Sequence, residues 1–223
     1  MSFYKSLQKL SPKSIYINKY FKNNKFTLLD IGAGNNSASK TKALFPNCEY
    51  HGVDLDKSYN NNQDDFDAMT AFYEMDLTKL QFNAIPDNYF DFIRMAHVIE
   101  HLTNGDEVLK HLIPKIKLGG YFYVEYPGNK SKKLPSMSGT LNFHDDPTHV
   151  RLYSVTEIEK IFEEGNCNII ASGTRRNTLF LLATPFRIMG KWIKGKKLEG
   201  NIFWDLLGFA EFAIIQKPKN RIS

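Results

Sequence analysis

A glycine-containing turn directly after a short apolar run constrains the fold of this chain more than any other feature. The run Phe26–Ile31 has the composition of a buried strand and leads into Gly32 and Gly34, with Asp30 two residues before the first glycine. Glycines are needed where a chain turns sharply and its backbone approaches a ligand closely. Asp54 follows Gly34 by 20 residues, at the end of a second apolar run, where a carboxylate can accept hydrogen bonds from ribose hydroxyls.

Apolar runs of strand length alternate with amphipathic stretches along the rest of the chain. This alternation predicts an α/β, Rossmann-like, doubly wound fold, in which a mostly parallel seven-stranded sheet carries helices on both faces. A helical insertion is expected before the last strand, at about 178–208. Residues 1–25 are expected to form a helical lid or packing segment, which leaves 26–223 as one domain. The predicted strands cover 26–31, 50–55, 71–75, 90–96, 121–126, 168–172 and 211–216.

The glycine turn favours a nucleoside ligand over a dinucleotide. The third glycine of a dinucleotide fingerprint falls at position 37, where this chain has Ser37. A pyrophosphate needs the close helix approach that this glycine permits, whereas a nucleoside that carries an amino acid does not. Ser37 thus argues against a nicotinamide-dependent oxidoreductase, which we keep as the less favoured of two enzyme hypotheses. A catalytically silent cofactor-binding protein that serves as a partner subunit is a third.

Five motifs in order resemble those of class I S-adenosylmethionine-dependent methyltransferases, of the small-molecule and glycan branch (types 11 and 23). They are LLDIGAGNN, YHGVDLD, EMDLTKL, FDFIRMAHVIEHL and IKLGGYFYVEYP, and together they cover about residues 26–170. The resemblance implies an enzyme that uses S-adenosyl-L-methionine as its cofactor. The sequence departs from the family at Asn36, where a glycine is frequent, although Asn tolerates the left-handed backbone conformation.

The resemblance also implies which residues at the strand ends hold the cofactor. The glycines would line its methionine part, the first acid would hold its amino group through water, and the second would bind the ribose. Leu55, Asp76 and the Leu77 backbone would contact adenine. His97 would lie near the methionine end. In chain order the set is Asp30, Gly32, Gly34, Asp54, Leu55, Asp76, Leu77 and His97. Helix capping or turn formation is the alternative role for Asp30 and Asp76.

The stretch from His97 to His101 matches the H-x-x-E-H pattern of one class of zinc proteases. A protease would need a third ligand and a zinc site on a helix in a different fold. Here the motif follows a predicted buried strand and therefore faces the cofactor. We expect no metal site, and Glu100 and His101 are expected to open the next helix.

A second cluster of ionisable residues follows the fifth predicted strand, where this fold commonly builds its acceptor site. Its segment DPTHVRLYS, at 146–154, resembles methyltransferases of bacterial surface-glycan and related small-molecule pathways. Histidine has an ordinary pKa near neutrality and suits deprotonation of a hydroxyl. We predict O-methylation without an added divalent ion, with His149 as the first candidate base and His144 as the second. A metal site, an anion clamp, or a pairing of Arg151 with Asp145 in a merely polar loop are the alternatives.

The segment 179–197 is apolar, aromatic and basic together. Such a stretch suits peripheral contact with an anionic membrane surface, and a substrate lid or dimer contact is the alternative. No apolar run reaches the roughly 18 residues that a spanning helix needs. The formal net charge is +5, but no N/D-P-P-Y motif follows the fourth strand, so no specific nucleic-acid partner is expected. Only Cys48 and Cys167 are present, which fits a reducing, cytoplasmic setting.

Overall fold

The computed structural model describes residues 3–59 and 61–219. Its sheet contains the strands β1 Phe26–Ile31, β2 Cys48–Asp54, β3 Ala71–Glu74, β4 Phe90–Ala96, β5 Ile116–Pro127, β6 Asn168–Thr174 and β7 Ala210–Gln216. They lie in the order β3-β2-β1-β4-β5-β7-β6, with β1 to β5 parallel and β7 antiparallel to both of its neighbours. The predicted Rossmann-like, mostly parallel seven-stranded sheet is therefore confirmed.

The helices cover both faces of this sheet. They are α1 Phe3–Gln8, α2 Pro12–Tyr20, α3 Ser37–Leu44, α4 Gln63–Ala68, α5 Gly105–Leu112, α6 Val155–Glu164, α7 Thr178–Ile193 and α8 Trp204–Leu207. The helices α7 and α8 form the expected insertion between β6 and β7. No helix among residues 3–59 and 61–219 is long and apolar enough to cross a membrane.

The amphipathic stretch 106–117 predicts a helix over its whole length, but the observed helix α5 is shorter at its carboxyl end. It ends at Leu112, and Pro114 lies in the short 3-10 turn that follows. Proline has no backbone N–H and clashes with the preceding helical turn, so it does not continue a helix. The chain then enters β5 at Ile116, five residues earlier than the predicted strand start at Tyr121.

The core has two parts because neighbouring residues of a strand point to opposite faces of the sheet. Leu29 belongs to the cluster that packs under α5 and α6, whereas Leu28 belongs to the cluster under α2 and α3. On this second side Ile17 of α2 is fully buried. Tyr20 stacks on Tyr121 with the ring centroids 3.9 Å apart. Both faces of the central strands are thus covered, and the carboxyl ends of those strands are left to form a site.

Candidate active site

A cleft of about 1120 Å³ opens at the carboxyl ends of β1, β2 and β4. Its walls come from six parts of the chain besides the strand ends: the N-terminal segment with α1 and α2, the glycine turn, α3, the turn after β4, the segment 146–148, and α7. Ligands of parallel sheets bind at this edge, where the strand order reverses. The cleft is therefore the candidate site. The N-terminal segment packs on the sheet and also lines this cleft.

The glycine turn leaves no room for larger side chains. Gly32 has a φ of +80°, and a Cβ atom there would lie 2.5 Å from Cγ2 of Val98. A Cβ atom on Gly34 would lie 2.6 Å from Cδ1 of Tyr59. Asn36, in place of the family's frequent glycine, adopts a left-handed φ of +58°, a conformation that Asn tolerates. The turn thus keeps its backbone exposed to the cleft despite this departure.

The Asn- and Asp-rich composition of 60–67 predicts a surface loop or short helix that carries no chemistry, but Asn61 and Asp65 hydrogen-bond to the glycine turn and the start of α3. Asp65 of α4 accepts a hydrogen bond from the amide of Ser39 at 3.0 Å and one from the Asn36 side chain. Asn61 accepts a hydrogen bond from the Asn36 amide at 3.2 Å. Sequence reasoning missed this positioning role. A capping-box pattern, Asn62 with Asp65 three residues later, was the available signal.

Asp30 is buried in an ion pair with Arg94 of β4. The guanidinium donates to both carboxylate oxygens at 2.8 and 2.6 Å, and the hydroxyls of Ser37 and Tyr50 donate to one of them. Burial favours a higher pKa for Asp30, but Arg94 and the hydrogen bonds outweigh it and hold the pKa below its ordinary value. These partners tie β1 to β4 and α3. The water-mediated contact of Asp30 with the cofactor stays a prediction, and Arg94 was not identified as its partner from the sequence.

Asp54 stands at the end of β2 and lines the cleft. Its Oδ1 accepts a hydrogen bond from the amide of Leu55 at 2.8 Å. Partial burial raises the pKa of Asp54 above its ordinary value. The Leu55 side chain is 68% exposed, so an apolar surface lies free beside the carboxylate. Leu55 is not among the described residues that line the cleft, and the ribose contact of Asp54 and the adenine contact of Leu55 stay predictions.

Asp76 and Leu77 lie outside the described lining of the cleft. The Asp76 carboxylate caps the 3-10 turn Leu77–Lys79 by accepting hydrogen bonds from the amide and hydroxyl of Thr78, at 3.0 and 2.6 Å. The Leu77 side chain is buried in the core. The structure therefore shows the capping role for Asp76, and the adenine contacts of both residues stay predictions.

His97 directly follows β4 and holds both of its ring nitrogens against buried carboxylates. Nε2 lies 2.9 Å from Glu125 and Nδ1 lies 3.2 Å from Glu100. Burial alone would lower the pKa of His97, but the hydrogen bonds and charges of the two glutamates raise it above its ordinary value. A protonated imidazole satisfies both contacts because each nitrogen then donates. His97 is therefore unsuited to act as a base.

The His97 contacts continue into a buried charge network that sequence reasoning missed. Glu125 pairs with Arg175 at 2.9 Å, and Arg175 pairs with Asp205 of α8 at 2.8 Å. The indole of Trp204 lies over the imidazole of His97, with the ring centroids 4.8 Å apart. The network fixes the insertion against β5.

The two candidate bases have different environments. His149 is nearly buried, and its Nδ1 lies 2.7 Å from the carbonyl oxygen of Phe143. Its Nε2 lies 3.9 Å from Asp146, a residue of the cleft wall. His144 is exposed, and neither histidine is among the described residues that line the cleft; only His149 lies beside a residue that does. The geometry thus favours His149.

Arg151 does not pair with Asp145. It binds Asp106 at 3.0 Å and lies over the ring of Tyr153, with its guanidinium carbon 4.4 Å from the centroid. Asp145 instead accepts hydrogen bonds from the backbone amides of Met137, Leu141 and Asn142. That alternative from the sequence is wrong, because backbone donors close to Asp145 in the chain occupy its carboxylate.

The sequence profile of a family described as methyltransferase domain matches residues 5–172. The chain belongs to this methyltransferase family. Its predicted identity as a class I methyltransferase is thereby confirmed, together with S-adenosylmethionine as the cofactor of this family. None of the curated proteins compared with this methyltransferase matches its sequence.

Solved structures similar to this methyltransferase share its fold at low sequence identity. One is a SAM-dependent methyltransferase from Archaeoglobus fulgidus, with 21% identity, a TM-score of 0.58, and coverage of 97% of this chain and 100% of that one. A S-adenosylmethionine-dependent methyltransferase from Mesorhizobium loti has 11% identity, a TM-score of 0.62 and coverage of 95% of each chain. Phosphoethanolamine N-methyltransferase 2 from Haemonchus contortus, in complex with S-adenosyl-L-methionine, has 19% identity, a TM-score of 0.61, and coverage of 92% and 52% respectively. These identities support the fold and leave the acceptor unidentified.

Proposed function

We propose that this methyltransferase transfers the methyl group of S-adenosylmethionine to an oxygen of a small molecule or glycan. The observation that carries the proposal is the continuity of the cleft. Its lining runs from Gly34 and Asp54 to His101 and Thr148, so one cavity joins the expected cofactor pocket to the histidine cluster. In-line transfer needs the acceptor held against the methyl group, and such a joined cavity supplies that proximity.

The residues at the cofactor end fit S-adenosylmethionine. The packed turn at Gly32 and Gly34 brings bare backbone to the cleft, which suits the methionine part. Asp54 offers a carboxylate for the ribose hydroxyls, and the exposed Leu55 offers an apolar surface for adenine. The cofactor supplies a methyl group on a sulfonium, and these residues bind and orient it.

At the acceptor end we assign deprotonation of a hydroxyl to the site of His149. The carbonyl oxygen of Phe143 can only accept a hydrogen bond, so Nδ1 of His149 carries a proton. In the neutral ring Nε2 then carries a lone pair. His97 has no such lone pair available because both nitrogens face glutamates. His149 therefore supports oxygen, rather than an already unprotonated nitrogen, as the methylated atom.

A screen with isotopically labelled S-adenosylmethionine tests the proposed reaction. The enzyme is incubated with fractionated small-molecule and glycan extracts, and labelled products are identified by mass spectrometry. We expect a labelled product whose new methyl group is on oxygen. A labelled N-methyl or S-methyl product would contradict the proposed atom, and NAD-dependent turnover without methyl transfer would contradict the proposed reaction.

We further propose that one face of α7 contacts an anionic membrane surface. Leu182, Phe186, Trp192 and Ile193 are each at least 69% exposed on this helix. Lysines 194, 196 and 197 follow them and are exposed. An apolar face with adjacent cations fits an interfacial helix on anionic lipid. Because Leu179, Phe180 and Ala183 of the same helix line the cleft, contact there would bring a lipid-linked acceptor to the site.

Vesicle co-sedimentation tests this contact. We expect binding to vesicles that contain phosphatidylserine, little binding to pure phosphatidylcholine, and a loss with added salt because screening weakens surface charge attraction. The double change Phe186→Ser and Trp192→Ser should abolish binding. A wild-type protein that ignores both vesicles, or that forms dimers which these changes dissociate, would show that this face covers another protein copy instead.

A further inference from the structure

Three metal-ligating side chains converge at the wall of the cleft. The ligand atoms of Glu100, His101 and His149 lie within 4.8 Å of one another. Glu100 and His101 belong to the 3-10 turn after β4, and His149 comes from the loop before α6. Backbone amides of Val150 and Arg151 donate to the Glu100 carbonyl oxygen at 2.9 and 3.2 Å. The backbone therefore fixes the two segments together and sets this proximity.

Both histidines present the nitrogen that a metal binds. Nδ1 of His149 lies 2.7 Å from the Phe143 carbonyl oxygen. Nδ1 of His101 lies 2.9 Å from the Thr148 hydroxyl, which donates its own proton to Asp146, and 3.2 Å from the Thr148 carbonyl oxygen. A carbonyl oxygen accepts only, so each Nδ1 carries the proton and leaves a lone pair on Nε2 of the neutral ring. Metal-binding histidines are commonly oriented by such a hydrogen bond from the other ring nitrogen.

Glu100 has one carboxylate oxygen, Oε1, beside His97 and a second oxygen, Oε2, that is buried without a hydrogen-bond partner among the described residues. Its side chain is 1% exposed, and its Oε2 has no hydrogen-bond partner among residues 3–59 and 61–219. An unpaired buried carboxylate oxygen is costly, and a cation beside it removes that cost. A second carboxylate is close, since Oδ2 of Asp146 lies 3.9 Å from Nε2 of His149.

We propose that Glu100, His101 and His149 bind a divalent transition-metal ion, with zinc or manganese as the fitting class. Two imidazoles and one carboxylate form a ligand set that leaves coordination positions open. His101, Asp146 and Thr148 line the cleft, so the open positions lie on the acceptor side. An ion there makes a bound hydroxyl more acidic. This inference rests on the proposed function and assigns the Nε2 lone pair of His149 to the ion instead of to the acceptor proton.

The site differs from the zinc-protease pattern considered from the sequence. In H-x-x-E-H the first histidine would be a ligand, but His97 is held between Glu100 and Glu125. In the site proposed here, His149 from a distant loop is the ligand in place of His97. No metal was expected from the sequence because the cluster around His149 was interpreted as a base and acceptor clamp, and that expectation is what the titration below tests.

Calorimetric titration of the chelator-stripped enzyme tests the site. We expect one Zn²⁺ or Mn²⁺ per chain with a Kd of about 1 μM or tighter, and much weaker binding of Mg²⁺, which prefers oxygen ligands. The variants His101→Ala and His149→Ala should each weaken Zn²⁺ binding by at least the roughly 10-fold that even an outer partner contributes. The matched control is His111→Ala, an exposed histidine on α5, which should bind as the wild type does.

Binding of S-adenosylhomocysteine by each metal-free variant shows that it is folded. If His149→Ala does not fold, the partly exposed His101→Ala decides the result. Absence of Zn²⁺ and Mn²⁺ binding in the wild type, wild-type affinity in both variants, or a loss in His111→Ala would each overturn the proposal. Failure of metal-free wild type to bind S-adenosylhomocysteine would instead overturn the proposed function, so the two failures are distinguishable.

Discussion

The two ends of the cleft differ in how far their construction depends on distant parts of the chain. At the cofactor end Gly32, Gly34 and Asp54 come directly after β1 and β2, and their place follows from strand order and spacing. At the end that we assign to the acceptor, residues far apart in the chain come together, as His149 does with Glu100, and Arg175 pairs with Glu125 in the network behind His97. The position of a motif that directly follows a strand can be inferred from the sequence, whereas contacts between separate loops become known only from the three-dimensional structure.

The largest expected effect breaks the ion pair beneath the cofactor end. Arg94→Met leaves the Asp30 carboxylate buried without its main partner, and loss of one member of a buried pair costs about 3–5 kcal/mol. We expect the free energy of unfolding, measured by urea denaturation, to fall by that amount. Lys117→Met is the matched control because it breaks a partly exposed pair with Asp91, for which about 0–1 kcal/mol is typical. Equal losses in both variants would contradict the special role of Asp30.

At the proposed acceptor end, His149→Ala should lower kcat by about 100-fold, because the Nε2 lone pair that promotes deprotonation of the acceptor hydroxyl, directly or by holding an ion, is lost. The affinity for S-adenosylhomocysteine should stay nearly unchanged, since His149 is not among the described residues that line the cleft with Gly34 and Asp54. Steady-state kinetics with the identified acceptor measures the first effect and calorimetry the second. Full turnover across pH in this variant would remove His149 from the mechanism.

A change at Asp54 should lower the affinity for the cofactor product S-adenosylhomocysteine, which the His149 variant is expected to keep. Asp54→Ala removes a carboxylate expected to accept hydrogen bonds from the ribose, and a bond to a charged group contributes about 1.5–3 kcal/mol. Calorimetry should therefore show S-adenosylhomocysteine affinity lowered by about 10- to 100-fold. Unchanged affinity would mean that the end of β2 does not contact the cofactor.

The smallest expected effect is a pH dependence of stability from His97, between the two ends. Its pKa is raised in the folded protein by Glu100 and Glu125, against the opposing effect of burial. The contribution of His97 to the free energy of unfolding is therefore fully present below the ordinary histidine pKa of about 6.5. It is lost as pH rises through the pKa that His97 has in the folded protein. Urea midpoints of the wild type should fall over this range relative to His97→Gln. Parallel pH profiles would show that the protonated ring is not the stabilising form.

Much of the fold was predictable because its signals are local. β1 and β4 begin and end at the predicted residues, since apolar runs of strand length are bounded by a turn or a polar residue. Seven strands and the late insertion were predicted for the same reason. The early end of α5 was missed, although Pro114 carried the information.

The candidate site was predictable only in part. The sequence located the glycine turn and Asp54, but the buried partners Arg94 and Glu125 were not identified. A charged residue within a buried strand shows that a partner exists and does not show which residue it is. Likewise the distance between His149 and Glu100 depends on backbone hydrogen bonds from Val150 and Arg151, which no spacing along the chain reveals.

Calorimetric titration of the wild-type enzyme with S-adenosylhomocysteine, with NAD as the comparison ligand, tests the central claim most directly. The account predicts one binding site per chain with a Kd of about 1 μM or tighter, near −8 kcal/mol, and no NAD binding. Binding of NAD without binding of S-adenosylhomocysteine would contradict it, because the turn at Gly32 and Gly34 would then hold a dinucleotide.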